Sequence, residues 1–276
     1  MLSIVVVYVG LAALGPLLSL LGRMRPAREG TPPLFTRARA ADWLYWLVTP
    51  LFSGFLSRTM VIALGAIVAW SLGGAVTNDV ELFAFFAERS VLGALPAWAQ
   101  LLVCLVLVDL LSYWSHRLRH HPLFFPLHAV HHSAEELDWL AAARMHPLDE
   151  IVDNVAISVP VLLLGPAPWV FLVLGPITLL YTLFSHAAVE LPLGPLRMLV
   201  VSPRFHRLHH AADVPGVNYA GLFSLWDRLF GTFRDPEPAE SASERAPLRF
   251  GLGDVHLAPT LRDHLVAPVR RFFTGR

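Results

Sequence analysis

Three histidine clusters have a spacing that suits metal binding. They are HRLRHH from residue 116, HAVHH from residue 128 and HRLHH from residue 206, and His186 stands alone between the second and the third. Histidines three or four positions apart project from one face of a helix, and imidazole is the commonest metal-binding side chain. The pattern predicts a metal site assembled from several short helical segments.

The number of histidines predicts more than one ion. A single zinc ion is satisfied by about four protein ligands, so this set is too large for one metal, and two ions in one composite site are expected. In the first cluster both His120 and His121 could pair with His116, and the i, i+4 spacing favours His120. His146, His256 and His264 lack such partners and are not expected to be ligands. The predicted ligands are His116, His120, His128, His131, His132, His186, His206, His209 and His210.

The composition is that of a membrane protein. Hydrophobic residues make up 55% of the chain and charged residues only 15%, against about 25% charged residues in soluble domains. Uncharged runs at Leu2–Gly22, Thr59–Asn78 and Ser90–Val108 are each long enough to span a bilayer. A fourth run, Asn154–Ser185, is broken by GPAPW at residues 165–169, which predicts a helical hairpin.

These runs predict an all-α integral membrane protein with about three full transmembrane helices plus the hairpin. No basic residue precedes the first run, and no clear cleavage site follows it, so it is expected to remain as a span. The aromatic stretch Trp43–Phe55, interrupted by Pro50, fits a segment lying at the membrane interface.

The distribution of arginine predicts the orientation. Basic residues follow the first span, whereas residues 79–89 carry three acids against Arg89. Because positive loops stay inside, residues 23–42 should be cytoplasmic and residues 79–89 external. Every histidine cluster then falls in a cytoplasmic helical lobe, and the expected location is the inner membrane of a bacterium. The basic residues are Arg23, Arg25, Arg28, Arg37 and Arg39.

Other features narrow the class of protein and divide the chain. The net charge is zero with no basic patch, so nucleic acid is not an expected partner. The single cysteine, Cys104, rules out an intramolecular disulfide.

Residues 235–247 are rich in Pro, Glu, Ser and Ala and predict an exposed linker. We therefore expect membrane helices and the interfacial segment over 1–95, a catalytic domain over 96–234, and a linker and tail over 235–276.

Several segments together resemble the fatty acid hydroxylase and sterol desaturase superfamily. They are DLLSYWSHRLRHH, LHAVHHSAEELDWLAAARMHPLDE, FSHAAVELPLGP and SPRFHRLHHAADVPGVNYAGLFSLWDRLFGTF, and they run from Asp109 to Phe233, nearly half of the chain. Within that superfamily the LGPL, NYAG and WDRLFGTF segments are most similar to bacterial sterol-desaturase-like proteins and alkylglycerol monooxygenase.

The resemblance implies a membrane non-haem di-iron oxygenase whose two iron ions are held by the nine histidines. Imidazole also suits copper, zinc and nickel, so the histidine spacing alone does not identify the metal. Iron is what the resemblance to the family implies. Such an enzyme uses O2 and electrons from a separate donor to hydroxylate or desaturate a lipid taken from the bilayer. Fatty acyl, sterol and ether lipids remain alternative substrates. Ether cleavage remains an alternative reaction. Where some relatives have a paired HxxxH, this chain has His186 and Glu190. Either Glu190 supplies an oxygen ligand, or the third cluster completes the set without it, which is favoured.

Five further residues are predicted to lie behind the ligands or beside the substrate. Asp109 precedes His116 by seven residues, and a carboxylate at a span end is costly unless paired. We expect it to accept a hydrogen bond from a ligand imidazole. The other four are Arg144, His146, Asn218 and Tyr219.

Other function classes fit the sequence less well. A metal transporter would place its ligands near the middle of several spans, whereas these lie at span ends. A membrane metalloprotease would need HExxH, which none of the clusters contains. A non-catalytic metal-binding membrane protein stays an alternative.

Overall fold

The computed structural model describes residues 2–27, 30–236, 247–253 and 261–274. Over these residues the chain is helical, with no strand and one isolated bridge between Pro26 and Val189. The predicted all-α class is confirmed. Arg28, His256 and most of the predicted linker, residues 237–246, lie outside the described residues.

Eleven α-helices are present in these ranges. They are α1 Leu2–Met24, α2 Ala40–Val48, α3 Gly54–Ser71, α4 Asp79–Ala87, α5 Ala97–Arg119, α6 Phe125–His132, α7 Pro147–Leu163, α8 Pro168–His186, α9 Pro203–His209, α10 Leu225–Leu229 and α11 Leu261–Thr274. Short 3-10 helices lie at Trp139–Ala143 and Gly194–Met198.

Four helical segments are long and apolar enough to cross a membrane. They are Val7–Met24, Ala40–Ser71, Ala97–Arg119 and Pro168–His186. The third differs in its bounds from the uncharged run at Ser90–Val108, because the helix begins only after Pro96 and continues through the polar residues to Arg119. Its last turns therefore carry His116, so a histidine cluster begins on a spanning helix.

The aromatic segment at Trp43–Phe55, predicted to lie at the membrane interface, is continuous with the helix that follows it. A π-helical turn over Thr49–Ser53 joins α2 to α3, and this turn accommodates Pro50, which lacks the N–H of a regular helix. Tyr45 and Trp46 are buried, and Trp46 Nε1 donates to the carbonyl of Leu140 over 3.0 Å. Tyr45 and Trp46 thus pack inward on the 3-10 helix, whereas Phe52 and Phe55 are exposed.

The predicted hairpin is present as α7 and α8. The turn at residues 164–167 contains Gly165 in the left-handed region, with φ +63°, and its Cα lies so close to the Phe86 carbonyl that a Cβ would clash. Ser90 Oγ donates to the Leu164 carbonyl, and the Ala167 N–H donates to Gln100 Oε1 over 2.9 Å. The hairpin tip therefore meets α4 and the start of α5.

The histidines lie at the other end of these helices. His116 is nineteen residues from the start of α5 and His186 is the last residue of α8, which places both about 27 Å from the hairpin tip at 1.5 Å per residue. Large apolar side chains on the outer faces remain exposed, for example Ile67 and Leu172, as expected for surfaces in contact with lipid. The fold separates a tip end from a histidine end.

We predict that Glu88 and His121 lie on opposite sides of the membrane. Glu88 follows α4 at the tip end, His121 follows α5 at the histidine end, and both are exposed. Variants E88C and H121C in sealed vesicles should react with an impermeant maleimide from opposite sides. The wild-type protein is the control, because Cys104 is buried. Labelling of both variants from one side would contradict this arrangement.

Candidate metal centre

The nine predicted histidines converge into two adjacent groups. One group contains His116, His120, His128, His132 and His209; the other contains His131, His186, His206 and His210. Within each group the candidate ligand atoms all lie within 4.8 Å of one another. The end of α5, helices α6 and α9, and the end of α8 supply them.

The ring nitrogens approach each other closely. In the first group His209 Nε2 lies 3.1 Å from His120 Nε2 and 3.2 Å from His132 Nε2. In the second, His206 Nε2 lies 3.1 Å from the Nε2 atoms of both His186 and His210. Ligands about 2.0–2.1 Å from one metal ion are roughly 3.0–3.4 Å apart, so these separations suit a shared cation.

The tautomers in the second group support this interpretation. His131 Nδ1 donates to the carbonyl of Arg144 over 3.1 Å, and His186 Nδ1 donates to that of Thr182 over 2.8 Å. A carbonyl only accepts, so each neutral ring carries its proton on Nδ1. The Nε2 lone pairs then face each other across 3.3 Å with no proton between them. A bound cation removes that repulsion, and the residues fit a metal.

The first group is oriented in the same way. His116 Nδ1 donates to the Tyr219 carbonyl over 2.7 Å, and His209 Nδ1 donates to the Val217 carbonyl over 2.8 Å. His128 Nδ1 instead faces a carboxylate oxygen of Asp149 at 2.9 Å. The Nε2 atoms of His116 and His128 are buried without a hydrogen-bond partner among the described residues, so their lone pairs are available to a metal.

Burial keeps these imidazoles neutral, which is the form that binds metal. It lowers the pKa of His209 to about 4 and that of His120 to about 2, with neighbouring histidines and Arg119 adding to the effect on His120. Burial also lowers the pKa well below the ordinary value in five more rings, those of His128, His131, His132, His206 and His210.

A cavity of about 200 Å³ opens onto the groups from the side of the spanning helices. Rings from both groups line it, including His116 and His186, and so do apolar side chains from α5 and α8, such as Val108 and Ile177. The arrangement can hold two cations beside a small apolar space that adjoins the membrane helices.

The family comparison agrees with this geometry. The model of the family described as "Fatty acid hydroxylase" matches residues 101–232. Those residues contain all nine histidines. Residues 101–232, just under half of the chain, are thus similar to the fatty acid hydroxylase family, and this segment is termed the fatty acid hydroxylase domain.

Curated relatives of the fatty acid hydroxylase domain are lipid-oxidising enzymes. The chain is 34% identical to an ornithine lipid hydroxylase from Rhizobium tropici, over 54% of this chain and 46% of the relative. It is 37% identical to alkylglycerol monooxygenase from Danio rerio, over 46% and 28%, and 33% identical to methylsterol monooxygenase 1 from Rattus norvegicus, over 50% and 49%. The matches span less than half of each relative. No solved structure matches the chain significantly.

Asp149 and Arg119 support the fatty acid hydroxylase domain from behind His128. Arg119 lies 3.3 Å from carboxylate oxygens of both Asp149 and Asp153, and Asp153 accepts a 2.5 Å hydrogen bond from Ser115. Asp149 thereby holds the His128 ring as a carboxylate commonly does for a metal ligand. Neither Asp149 nor Arg119 was predicted from the sequence, although the i, i+4 spacing of Asp149 and Asp153 places the two carboxylates on one face of α7.

A buried charge network stands behind His131. Arg144, whose carbonyl accepts from His131, donates through Nε to Asp42 Oδ1 over 2.6 Å. Arg39 contacts Asp42 at 3.4 Å and also forms a two-pronged pair with Asp138. Two positive and two negative charges therefore balance in the interior. Arg39 and Asp42 lie outside the fatty acid hydroxylase domain, so the N-terminal helices help to position its histidines.

The hydrogen-bond partners of Asp109 differ from the predicted ones. Its carboxylate accepts from the backbone N–H groups of Leu222 and Phe223 over 2.7 and 2.8 Å and from Trp226 Nε1 over 2.9 Å. The predicted hydrogen bond to a ligand imidazole is wrong, because within the described ranges the three donors to this carboxylate all come from residues 222–226. Asp109 instead holds the loop after Tyr219 against α5, and it lines the metal cavity.

The other four residues predicted to lie around the ligands make different contacts. Arg144 and Tyr219 touch ligand rings through their carbonyls. Asn218 has φ +59° and its side chain binds the backbone of Phe205 and Arg234. His146 accepts from the Leu148 N–H at the start of α7 and faces the Leu265 carbonyl with its other nitrogen. Neither Asn218 nor His146 touches a ligand ring.

Three residues left in question by the sequence lie outside the two groups. His121 is exposed and accepts from the Leu123 N–H. The Glu190 carboxylate lies 3.9 Å from the Arg204 guanidinium. His264 is buried and stacks on Tyr45 with ring centroids 6.0 Å apart. Helix α11 is thus anchored beside α2, which no spacing in the tail signalled.

We predict that Asp42→Asn destabilises the protein strongly. Removing one partner of a buried ion pair costs about 3–5 kcal/mol, and the loss would leave the buried Arg144 guanidinium without its carboxylate. Asp213→Asn is the matched control, since its pair with Arg249 is exposed and contributes about 0–1 kcal/mol. Unfolding in detergent measures both variants. Equal stabilities would contradict the structural role of the network.

We also predict that the metal-free protein is destabilised by mild acid. The pKa of His209 is lowered from 6.5 to about 4 by burial, so the unfolded chain binds its proton more readily than the folded chain. The resulting stability is complete above pH 6.5 and is lost as the pH falls toward 4. Unfolding measured across this range should show the decline. His121→Gln should retain it and His209→Gln should weaken it, whereas a flat wild-type profile would refute the prediction.

Proposed function

We propose that this chain is a membrane-bound di-iron oxygenase that hydroxylates or desaturates a lipid. One observation carries the proposal: two adjacent groups of imidazoles each bring their ring nitrogens within 4.8 Å of one another beside a cavity at the spanning helices. The relatives add the reaction class, because they are named as a lipid hydroxylase and lipid monooxygenases.

In this proposal each histidine group binds one iron ion. The bound iron pair supplies activation of O2, which an unactivated C–H bond requires because it offers no acidic proton or electrophilic carbon. For hydroxylation, one oxygen atom enters the C–H bond and the other leaves as water, with two electrons from a separate donor and two protons. The chain's residues keep the imidazoles neutral and fixed, and the apolar cavity wall holds the lipid carbon and excludes water.

The substrate reaches the cavity from the bilayer. Candidates are fatty acyl, sterol and ether lipids, and hydroxylation is favoured by the similarity to the ornithine lipid hydroxylase. We retain the division of the chain into membrane helices at 1–95, a catalytic domain at 96–234 and a linker with tail at 235–276. The arginine asymmetry supports a cytoplasmic location of the histidine end in a bacterial inner membrane.

We predict that iron-loaded protein contains two iron ions per chain and oxidises a lipid. His116→Gln and His186→Gln each disrupt one group, so each should lower the iron content toward one and abolish lipid turnover. His121→Gln, whose ring is exposed, is the matched control and should keep both. Metal analysis is combined with lipid profiling of cells with and without the protein.

Three results would contradict the proposal. They are one ion in active protein, full activity of both ligand variants, or two bound ions with an unchanged lipid profile. The last would support a non-catalytic metal-binding protein.

A further inference from the structure

A second cavity adjoins the metal cavity. It has a volume of about 520 Å³ and lies among α1, α3, α7 and α8. Asp153, Thr178 and Thr182 line both cavities, so the two spaces meet at one wall. A ligand in this side cavity can therefore extend directly toward the histidines.

One wall of the side cavity is polar along its length. Glu150, Asn154 and Ser158 all line it, and their spacing of four residues places them on one face of α7. The row is about 12 Å long at 1.5 Å per residue. Thr49 and Arg58 add further polar groups to the lining.

Within the part of the chain that the structure describes, two of these side chains lack protein partners, and the Glu150 carboxyl is only partly satisfied, by the side chains of Ser53 and Thr49. Glu150 Oε2 is buried with no hydrogen-bond partner within the described ranges. Over the same residues, the side chains of Asn154 and Ser158 make no hydrogen bond to another side chain or to the backbone. Polar groups among spanning helices are costly unless they line a functional cavity and find partners there. Their placement requires a ligand that hydrogen-bonds at several points.

We propose that this side cavity binds the polar part of a lipid that carries amide or hydroxyl groups, with Glu150, Asn154 and Ser158 as its hydrogen-bonding row. The inference rests on the proposed lipid oxidation. A sterol with a single hydroxyl would use only one position of the row, and a hydrocarbon would use none. An amide lipid with a hydroxyl offers hydrogen-bonding groups to more than one position of the row and matches the chemistry of the wall.

The same geometry determines which carbon is oxidised. The row lies beside the wall that the two cavities share, and the metal cavity holds only about 200 Å³. A lipid whose polar part occupies the side cavity can place only a short adjoining segment at the histidines. Oxidation therefore falls within a few carbons of the polar part, and the far end of the chain stays in the bilayer.

Lipid binding by the iron-loaded protein in detergent tests this site. The probes are N-palmitoylethanolamine, which has an amide and a hydroxyl, and octadecane, which has neither. The variant N154L/S158A should bind the first probe about 5- to 25-fold more weakly, since each lost hydrogen bond is worth about fivefold, and octadecane unchanged. Val152→Leu is the matched control, because Val152 lies on the exposed face of the same helix.

The outcomes separate this proposal from the proposed function. Retained iron in each variant shows that the fold and the metal centre persist, and Ser158→Ala alone provides a milder second variant. Equal losses for both probes, or no loss for N-palmitoylethanolamine, would overturn the site. A product oxidised at the chain end would do the same. Selective binding without any lipid turnover by the wild-type protein would instead refute the proposed function and leave the binding site standing.

Discussion

The arrangement of the site depends on the contacts at Nδ1 that orient five of the nine imidazoles, whereas His206 Nδ1 is buried without a partner among the described residues. A ring that faces a metal with Nε2 must place its Nδ1 proton on an acceptor, or it can rotate and protonate the wrong atom. Here the backbone carbonyls of Arg144, Thr182, Val217 and Tyr219 accept those protons, and Asp149 faces His128. The segments around the histidines are therefore fixed as tightly as the histidines themselves.

This requirement extends beyond the fatty acid hydroxylase domain. The residue whose carbonyl accepts from His131, Arg144, also pairs through its guanidinium with Asp42 on α2. Asp42 in turn contacts Arg39. Because four buried charges must balance, α2 cannot move independently of the residues behind His131. The N-terminal membrane helices are thus part of the metal centre's support, although they contribute none of its ligands.

The features that were predicted correctly are those that depend on residues close together in the sequence. The i, i+3 and i+4 pattern selected His120 over His121, and the GPAPW break located the hairpin. Neither required knowledge of what each segment packs against. The same applies to the spans, whose apolar length is visible in the chain itself.

Features that depend on distant partners could not be predicted in this way. Asp109 was placed near the ligands correctly, but its partners, Leu222, Phe223 and Trp226, lie more than a hundred residues away. Asp149 is similarly known as a ring partner only once α7 is packed beside α6. The inward packing of Tyr45 and Trp46 was not predictable either, because aromatic residues suit both a bilayer surface and a helix packed on the 3-10 segment.

The central claim is that the nine histidines form two separate metal positions. Anomalous diffraction at the iron edge from crystals of the iron-loaded protein tests it most directly. We expect two peaks, one among His116, His120, His128, His132 and His209 and the other among His131, His186, His206 and His210. A single peak between the groups, or a peak beside His146 or His264, would contradict it.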